Sequence, residues 1–542
     1  MKWHGSVTGI ALGLQYLGVF ADQKPLSAGT NKNPLTHEFG DFVRDLLREW
    51  HVAGTAIGVI DGDDVFAQVV PHQLPTRAKQ LLGYGMATLP DTEATPETLW
   101  YAGSTTKAQT AAALAKLIDS GEYPALARGW KTPISSIIRD DFVVQDEWST
   151  MHITLEDAAS HRTGFTRHDA SIRCPQGGCD KGSVRHIVRT LRHLPLQLEP
   201  RVEFHYCNLM FLVLSHVVET VTGKWLGHVL REQIWEPLGM NATFLDLQQA
   251  QDAPEHLSTG YYWHNKDQKL KSMPFVVTGP LSGAGAVISN VVDYSKWIRS
   301  LLRRGQPLSE AVHHEIRKPR MVQKQEPDLG MDVVLYSLGW FRTNLHDQVA
   351  YYHAGSTETH GTLVYWFPEL DYGIVTFSNY ASPVREVLVR RLIEDKLGIP
   401  ESERYDMDKR MRDDVDARER SIADAVNTLF PNRPKTPLPL PLNTSDLAGT
   451  YYNIGYGQLK LREKPHPAEK GQTILVAGDD YELHHVTGSY WVMYIMEPNG
   501  PAAFYSAQFI VSAGGKSTAL EVHVFDRSEM VNEGTIVYLR QT

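Results

Sequence analysis

Ser104 and Lys107 stand three residues apart in the run Trp100-Tyr101-Ala102-Gly103-Ser104-Thr105-Thr106-Lys107, where an alanine-rich helical pattern opens and continues to Gly121. On a helix, positions i and i+3 share a face with β-carbons about 5–6 Å apart. The Lys107 amine is then within reach of the Ser104 oxygen, and a helix N-terminus favours negative charge there. A serine hydroxyl is a weak nucleophile until a neighbouring base takes its proton. The pair reads as an activated serine. The plain alternative makes Ser104 an N-cap and Lys107 a solvated surface residue.

Two further segments bear on that choice. Glu199-Pro200-Arg201-Val202-Glu203-Phe204-His205-Tyr206-Cys207-Asn208 leads into an apolar helical run over 209–223, so Tyr206 and Asn208 fall at a loop-to-helix junction. There a phenol and an amide can point into a cleft, or serve as a buried tyrosine and an asparagine cap. Tyr352-His353-Ala354-Gly355-Ser356 precedes two strand-like runs, 361–368 and 372–379. Gly355 lets a backbone come close to a ligand, and an edge strand offers N–H groups to a developing oxyanion.

In this order the three segments resemble the motifs of the serine β-lactamase and penicillin-binding-protein superfamily, whose first motif is Ser-x-x-Lys. The likeness is to the branch holding class C β-lactamases, β-lactamase-like esterases and transesterases, and D-stereospecific peptidases. Flanking segments are similar as well: Ile153-Thr154-Leu155-Glu156-Asp157 with Ser160-His161-Arg162-Thr163-Gly164, Trp235-Glu236-Pro237-Leu238-Gly239-Met240, and Gly283-Ala284-Gly285 with Ser289, Asp293 and Trp297. The resemblance covers about residues 36–395. There are departures. His353 stands where β-lactamases usually carry lysine, which argues against β-lactam turnover and for esterase or acyl-transfer chemistry. Cys207 replaces a usual serine, and Arg201 a common glycine.

Composition sets limits. A formal charge of −10 over 542 residues argues against nucleic-acid binding, which usually needs a basic stripe. No apolar stretch of about 18–20 residues runs without polar interruption, so no membrane span is expected. Three cysteines cannot build a disulfide framework; Cys174 and Cys179 either pair or remain free thiols. The 23 histidines show no metal-ligand spacing, so neither a metal nor another cofactor is expected. The first 21 residues end in small residues like a cleaved signal sequence, yet Gln15, Tyr16 and three glycines weaken their apolar core. Secreted and cytoplasmic locations both stay open.

Along the chain, 35–50 reads as an amphipathic helix. Two β-rich runs, 54–62 and 64–70, are joined by an Asp61-Gly62-Asp63 turn. A third strand is expected at 81–88, helices from 104 to about 302, and strands again at 336–342 and 363–377. Strands at both ends with helices between predict an α+β architecture, one antiparallel sheet flanked by helices. After Gly398 come a charge-dense helix over 400–425 and a proline-rich spacer over 431–441. Short alternating runs from 447 onward predict a small β-barrel or sandwich, similar to the lipocalin-like appendages of some superfamily members. The expected division is an N-terminal extension (1–34), a catalytic domain (35–398), a helix and linker (399–445) and a β-barrel domain (446–542).

The resemblance implies acyl transfer to and from Ser104 on a small-molecule ester, lactone or amide. Lys107 leads as general base, and Tyr206 is the second candidate and the proton donor to the leaving group. Asn208 holds Lys107 and the substrate, and His353 hydrogen-bonds near Tyr206. The N–H groups of Ser104 and Ser356, brought close by Gly355, form the oxyanion hole. Water as acceptor gives a hydrolase, and an alcohol or amine gives a transesterase or cyclase. A silent binding protein on the same fold is the third reading. The oligomeric state is not legible.

Overall fold

The first helix, α1 (His37–Glu49), opens with Thr36 accepting the Phe39 amide and buries Phe39, Val43, Leu46 and Leu47. It covers one face of an antiparallel sheet. The sheet begins with β1 (Gly54–Asp61), β2 (Asp64–Gln68), β3 (Tyr84–Thr88) and β4 (Thr92–Glu93). It resumes with β5 (Met321–Lys324), β6 (Val334–Tyr336), β7 (Phe341–Leu345), β8 (Gln348–Ser356), β9 (Gly361–Phe367) and β10 (Tyr372–Ser378). The order is β4-β3-β1-β10-β9-β8-β7-β6-β5, with β2 also paired to β1. This computed structural model describes residues 33–68, 84–172, 183–467, 469, 471–526 and 531–541. The signal-like segment 1–21, the start of the strand expected at 81–88, and Cys174 with Cys179 lie outside the described residues.

Strand β1 runs antiparallel against β10, more than 300 residues later in the chain, from Thr55 opposite Ser378 to Asp61 opposite Tyr372. Both faces of these strands are buried, so they read as nearly continuous apolar runs rather than alternating ones. Ile57, Val59, Tyr365 and Ile374 pack with α1 and with α5 (Val384–Leu397) on one face. Ala56, Ile60, Val364, Trp366 and Phe377 face the helical layer on the other. That layer contains α2 (Thr106–Ser120), α3 (Asn208–Thr222) and α4 (Val291–Leu302). Helices α2 and α3 each end on a left-handed glycine, Gly121 and Gly223.

The strand expected at 336–342 is instead a hairpin. Chain direction reverses between β6 and β7 through a turn in which Ser337 N donates to Trp340 O at 2.8 Å. Gly339 makes the turn possible: its φ is +78°, and a β-carbon there would lie 2.8 Å from Ala108 Cα on α2. A periodicity argument sees only the apolar residues on both sides of this glycine, not the reversal.

The charge-dense segment forms α6 (Met407–Ala423). The C-terminal strands then close into a barrel of β11 (Gly449–Asn453), β12 (Gly457–Pro465), β13 (Thr473–Ala477), β14 (Tyr481–Thr487), β15 (Tyr490–Glu497), β16 (Gly500–Val511), β17 (Ser517–Asp526) and β18 (Val531–Arg540). Of the two alternatives left by the sequence, the barrel is the one observed. Gly500, Pro501, Ala502 and Ala503 in β16 are poor strand formers that tertiary pairing overrides. Catalytic layers and barrel belong to one compact unit, Pro34–Thr542. Among the described residues no single helix is long and apolar enough to cross a membrane.

Candidate active site

A tight turn, Gly103–Thr105, delivers the chain into α2 and leaves Ser104 partly exposed at its head. Lys107, one turn on, is completely buried. Its Nζ lies 3.0 Å from Ser104 Oγ and donates to the Ala284 carbonyl at 2.6 Å. That carbonyl belongs to the short helical turn Ser282–Gly285. The turn is held in place by Gly283 N donating to Ser215 Oγ and Thr110 Oγ1 donating to Gly283 O. The solvated-lysine reading is thereby excluded.

Burial, joined by the positive charge of Arg167, holds the Lys107 amine well below the ordinary lysine pKa. A neutral amine has two N–H groups and one lone pair. With one N–H committed to Ala284 O, the lone pair can face the Ser104 hydroxyl. The arrangement can therefore take a proton from serine when the amine is neutral.

Tyr206 arrives from the loop before α3 and is almost fully buried. Its ring centre is 4.9 Å from Lys107 Nζ, 5.2 Å from the Arg167 guanidinium and 4.2 Å from the His161 ring. Asn208 is the first residue of α3, and its Nδ2 donates to Asp169 Oδ1 at 3.0 Å. Asn208 was expected to hold Lys107; the hold comes from Ala284, while Asn208 ties α3 to the Arg167–Asp169 loop. Arg167 pairs with Asp169 at 3.1 Å.

His353 lies on β8 opposite Val364, so pleat alternation turns it toward the helical layer. The hydrogen bond expected near Tyr206 goes to another phenol. Tyr336 donates to His353 Nε2 at 3.2 Å, and Nδ1 donates to the Ala354 carbonyl at 2.6 Å. The carbonyl can only accept, so Nδ1 carries a proton, and in the neutral ring Nε2 is left to accept from Tyr336. Burial, with the nearby Lys107 charge, pushes the His353 pKa down to about 3. Tyr206 and His353 are still neighbours, with ring centres 6.3 Å apart.

Gly355 and Ser356 close the site from the strand side. A β-carbon on Gly355 would fall 2.0 Å from Ala102 O, and one on Gly103 would fall 2.6 Å from Ser356 N. Strand β8 and the serine turn therefore touch backbone to backbone. Arg385 Nη1 donates to Gly355 O at 2.7 Å and to Ser356 Oγ at 2.9 Å, pinning the strand end.

The Beta-lactamase family model matches residues 39–398, well over half of the chain. This chain belongs to the β-lactamase family. It is 36% identical over 438 residues to an unguisins hydrolase of Aspergillus campestris, covering 79% of this chain and 78% of that one. It is 33% identical over 520 residues to an unguisins hydrolase of Aspergillus violaceofuscus, covering 91% and 88%. The octameric penicillin-binding protein homologue from Pyrococcus abyssi superposes with a TM-score of 0.57 at 17% identity, over 92% of this chain and 99% of that one, a likeness of fold. As a β-lactamase-family member with hydrolase-named relatives, the protein is an enzyme of the serine-hydrolase type.

Sequence reasoning did not assign roles to Arg167, Asp169, Tyr336 or the Ala284 carbonyl. Spacing gives no access to a carbonyl partner, and Arg167-His168-Asp169 has no periodic signature. His161 sat in a segment noted for its resemblance but not assigned to the site. It is fully buried, its Nδ1 accepts the Cys207 amide at 3.1 Å, and its ring lies against Tyr206. Among the described residues no three His, Cys, Asp or Glu side chains converge as a metal site.

Proposed function

We propose that this enzyme hydrolyses an amide or ester bond of a small molecule through a covalent acyl-enzyme on Ser104. The observation that carries the reading is the 3.0 Å approach of Ser104 Oγ to the amine of a fully buried lysine. Neutral Lys107 takes the serine proton as the Oγ–C bond forms to the acyl carbon. The bond from that carbon to the leaving nitrogen or oxygen then breaks, and Tyr206 or protonated Lys107 supplies the leaving group's proton. Water adds to the acyl carbon with loss of a proton to the same base. The Oγ–C bond then breaks, and Ser104 regains its hydrogen.

The N–H groups of Ser104 and Ser356 act as the oxyanion hole, each donor being worth about 2.7–4 kcal/mol in such sites. Asn208 and Asp169 position the Tyr206 loop. His353, neutral and bonded to Tyr336, holds the strand beside Tyr206. Water is favoured over an alcohol or amine acceptor because both Aspergillus relatives are named as hydrolases, and unguisins are the first substrates to test.

A fluorophosphonate should add once to the folded protein by intact mass, and not at all to Ser104→Ala. Turnover in heavy-oxygen water should place one labelled oxygen in the released acid. Absence of the adduct would overturn the nucleophile, and an unlabelled product joined to an added alcohol or amine would replace hydrolysis by transfer.

A further inference from the structure

A cavity of about 920 Å³ opens at one end of the C-terminal barrel. Its wall includes Met493, Val522, Ile536 and Tyr538, each nearly buried and each facing inward in alternation with outward neighbours such as Leu539. Its mouth is bounded by the Arg167–Ala170 loop on one side and by Asp414 and Arg418 of α6 on the other. The volume is near the upper end of the range of small-molecule sites, about 300–1,000 Å³.

The loop at the mouth also belongs to the reaction centre. Arg167 stacks over Tyr206, and Asp169 accepts from Asn208. The intervening His168 is joined to the barrel, its Nδ1 lying 2.7 Å from Tyr456 Oη. One short segment thus forms the back of the nucleophile site and the rim of the barrel lumen. The charges at the rim have partners: Arg167 pairs with Asp169, and Arg418 donates to Ala502 O at 3.0 Å. The larger part of the surface on offer inside is apolar, with tyrosine rings among its lining.

We propose that the barrel lumen is a substrate pocket, taking an uncharged apolar side chain or acyl tail of the molecule whose carbonyl lies at Ser104. The word substrate rests on the acyl-enzyme reading above; the binding site itself does not. An occupant there enters past Arg167 and Asp169, so the barrel selects substrates by their apolar bulk while the β-lactamase-like layers perform the chemistry.

The test fills the lumen. For the unsubstituted enzyme, kcat/KM for p-nitrophenyl octanoate should exceed that for p-nitrophenyl acetate. In Ile536→Trp, and independently in Val522→Phe, the octanoate-to-acetate ratio should fall at least tenfold. In Leu539→Trp, on the barrel exterior, the ratio should stay as in the parent. Octanamide, an uncharged tail, should bind the Ser104→Ala protein by calorimetry and lose that binding when Ile536→Trp is added. Octanamide should also compete with p-nitrophenyl acetate on the unsubstituted enzyme, a readout that needs no lumen variant to fold. Ratios and binding unmoved by both fillings would overturn the pocket. Octanamide binding without ester turnover would keep the pocket and overturn the acyl-enzyme.

Discussion

Gly355 meets Ala102 so closely that a β-carbon on the glycine would sit 2.0 Å from the alanine carbonyl oxygen and 3.1 Å from Ser104 N. No side chain fits between β8 and the Ser104 turn. Gly355→Ala must therefore push the strand away and separate the Ser104 and Ser356 amides. Loss of one oxyanion donor costs about 10²–10³ in kcat. The expected result is a fall of at least about 100-fold in kcat with little change in KM, measured on p-nitrophenyl acetate. A fall confined to KM would place the defect in binding instead.

Lys107 and Arg167 predict a pH dependence. Burial and the Arg167 charge both lower the Lys107 pKa, so the base is active above its depressed pKa and is lost as pH falls through it. The acidic limb of kcat/KM should lie well below the ordinary lysine value of 10.5. Arg167→Gln removes a repelling charge and leaves Asp169, whose negative charge favours the protonated amine. The limb should then move to higher pH. A limb unmoved or moved to lower pH would count against Lys107 as the titrating base.

Arg201 adopts φ +76°, the left-handed region where glycine is at home, and its guanidinium binds the buried Asp157 carboxylate at 2.8 Å. The departure from the family's glycine is thus a backbone strain offset by an ion pair. Asp157 keeps Arg162 and the Thr154 amide as further partners. Arg201→Gly loses the pair but relieves the strain, whereas Arg201→Ala loses the pair and keeps the strain. The alanine variant should be less stable than the glycine variant by about 1 kcal/mol, read from urea unfolding. The reverse order would show that the loop relaxes out of the left-handed conformation.

The α+β sheet and the closeness of Lys107 to Ser104 were legible because their signals are local. Apolar runs bounded by glycine announce the strands, and a serine three residues before a lysine announces a shared helix face. The partners of those side chains were not legible, because they are set by folding across long separations. Lys107 meets a carbonyl 177 residues away. Asn208 turns to Asp169 rather than to Lys107, and His353 to Tyr336 rather than to Tyr206, because each was placed by motif order without knowing which neighbours the sheet and loop supply. The barrel was visible as repeated short runs, but the contact between its mouth and the Arg167 loop rests on Tyr456 and His168, 288 residues apart.

That contact predicts a loss of stability in acid. His168 is buried with Nδ1 toward Tyr456 and Nε2 toward the Pro195 carbonyl at 3.0 Å. Burial pushes its pKa down to about 4 from 6.5. The folded state therefore holds it neutral while the unfolded chain takes up a proton below pH 6.5. Its contribution to stability is fully present above that pH and declines as pH falls toward about 4, where the folded state also protonates. One proton of difference corresponds to about 1.4 kcal/mol per pH unit within the window. His353, pushed down to about 3 and in contact with the reaction centre, adds to the same slope. Urea midpoints should be flat above pH 7 and fall steeply from pH 6 to pH 4.5. His168→Gln cannot protonate, so its midpoint should be lower at neutral pH through loss of packing, yet decline less steeply in that window. Parallel declines in parent and variant would show that His168 titrates normally and that the Tyr456 contact opens in solution.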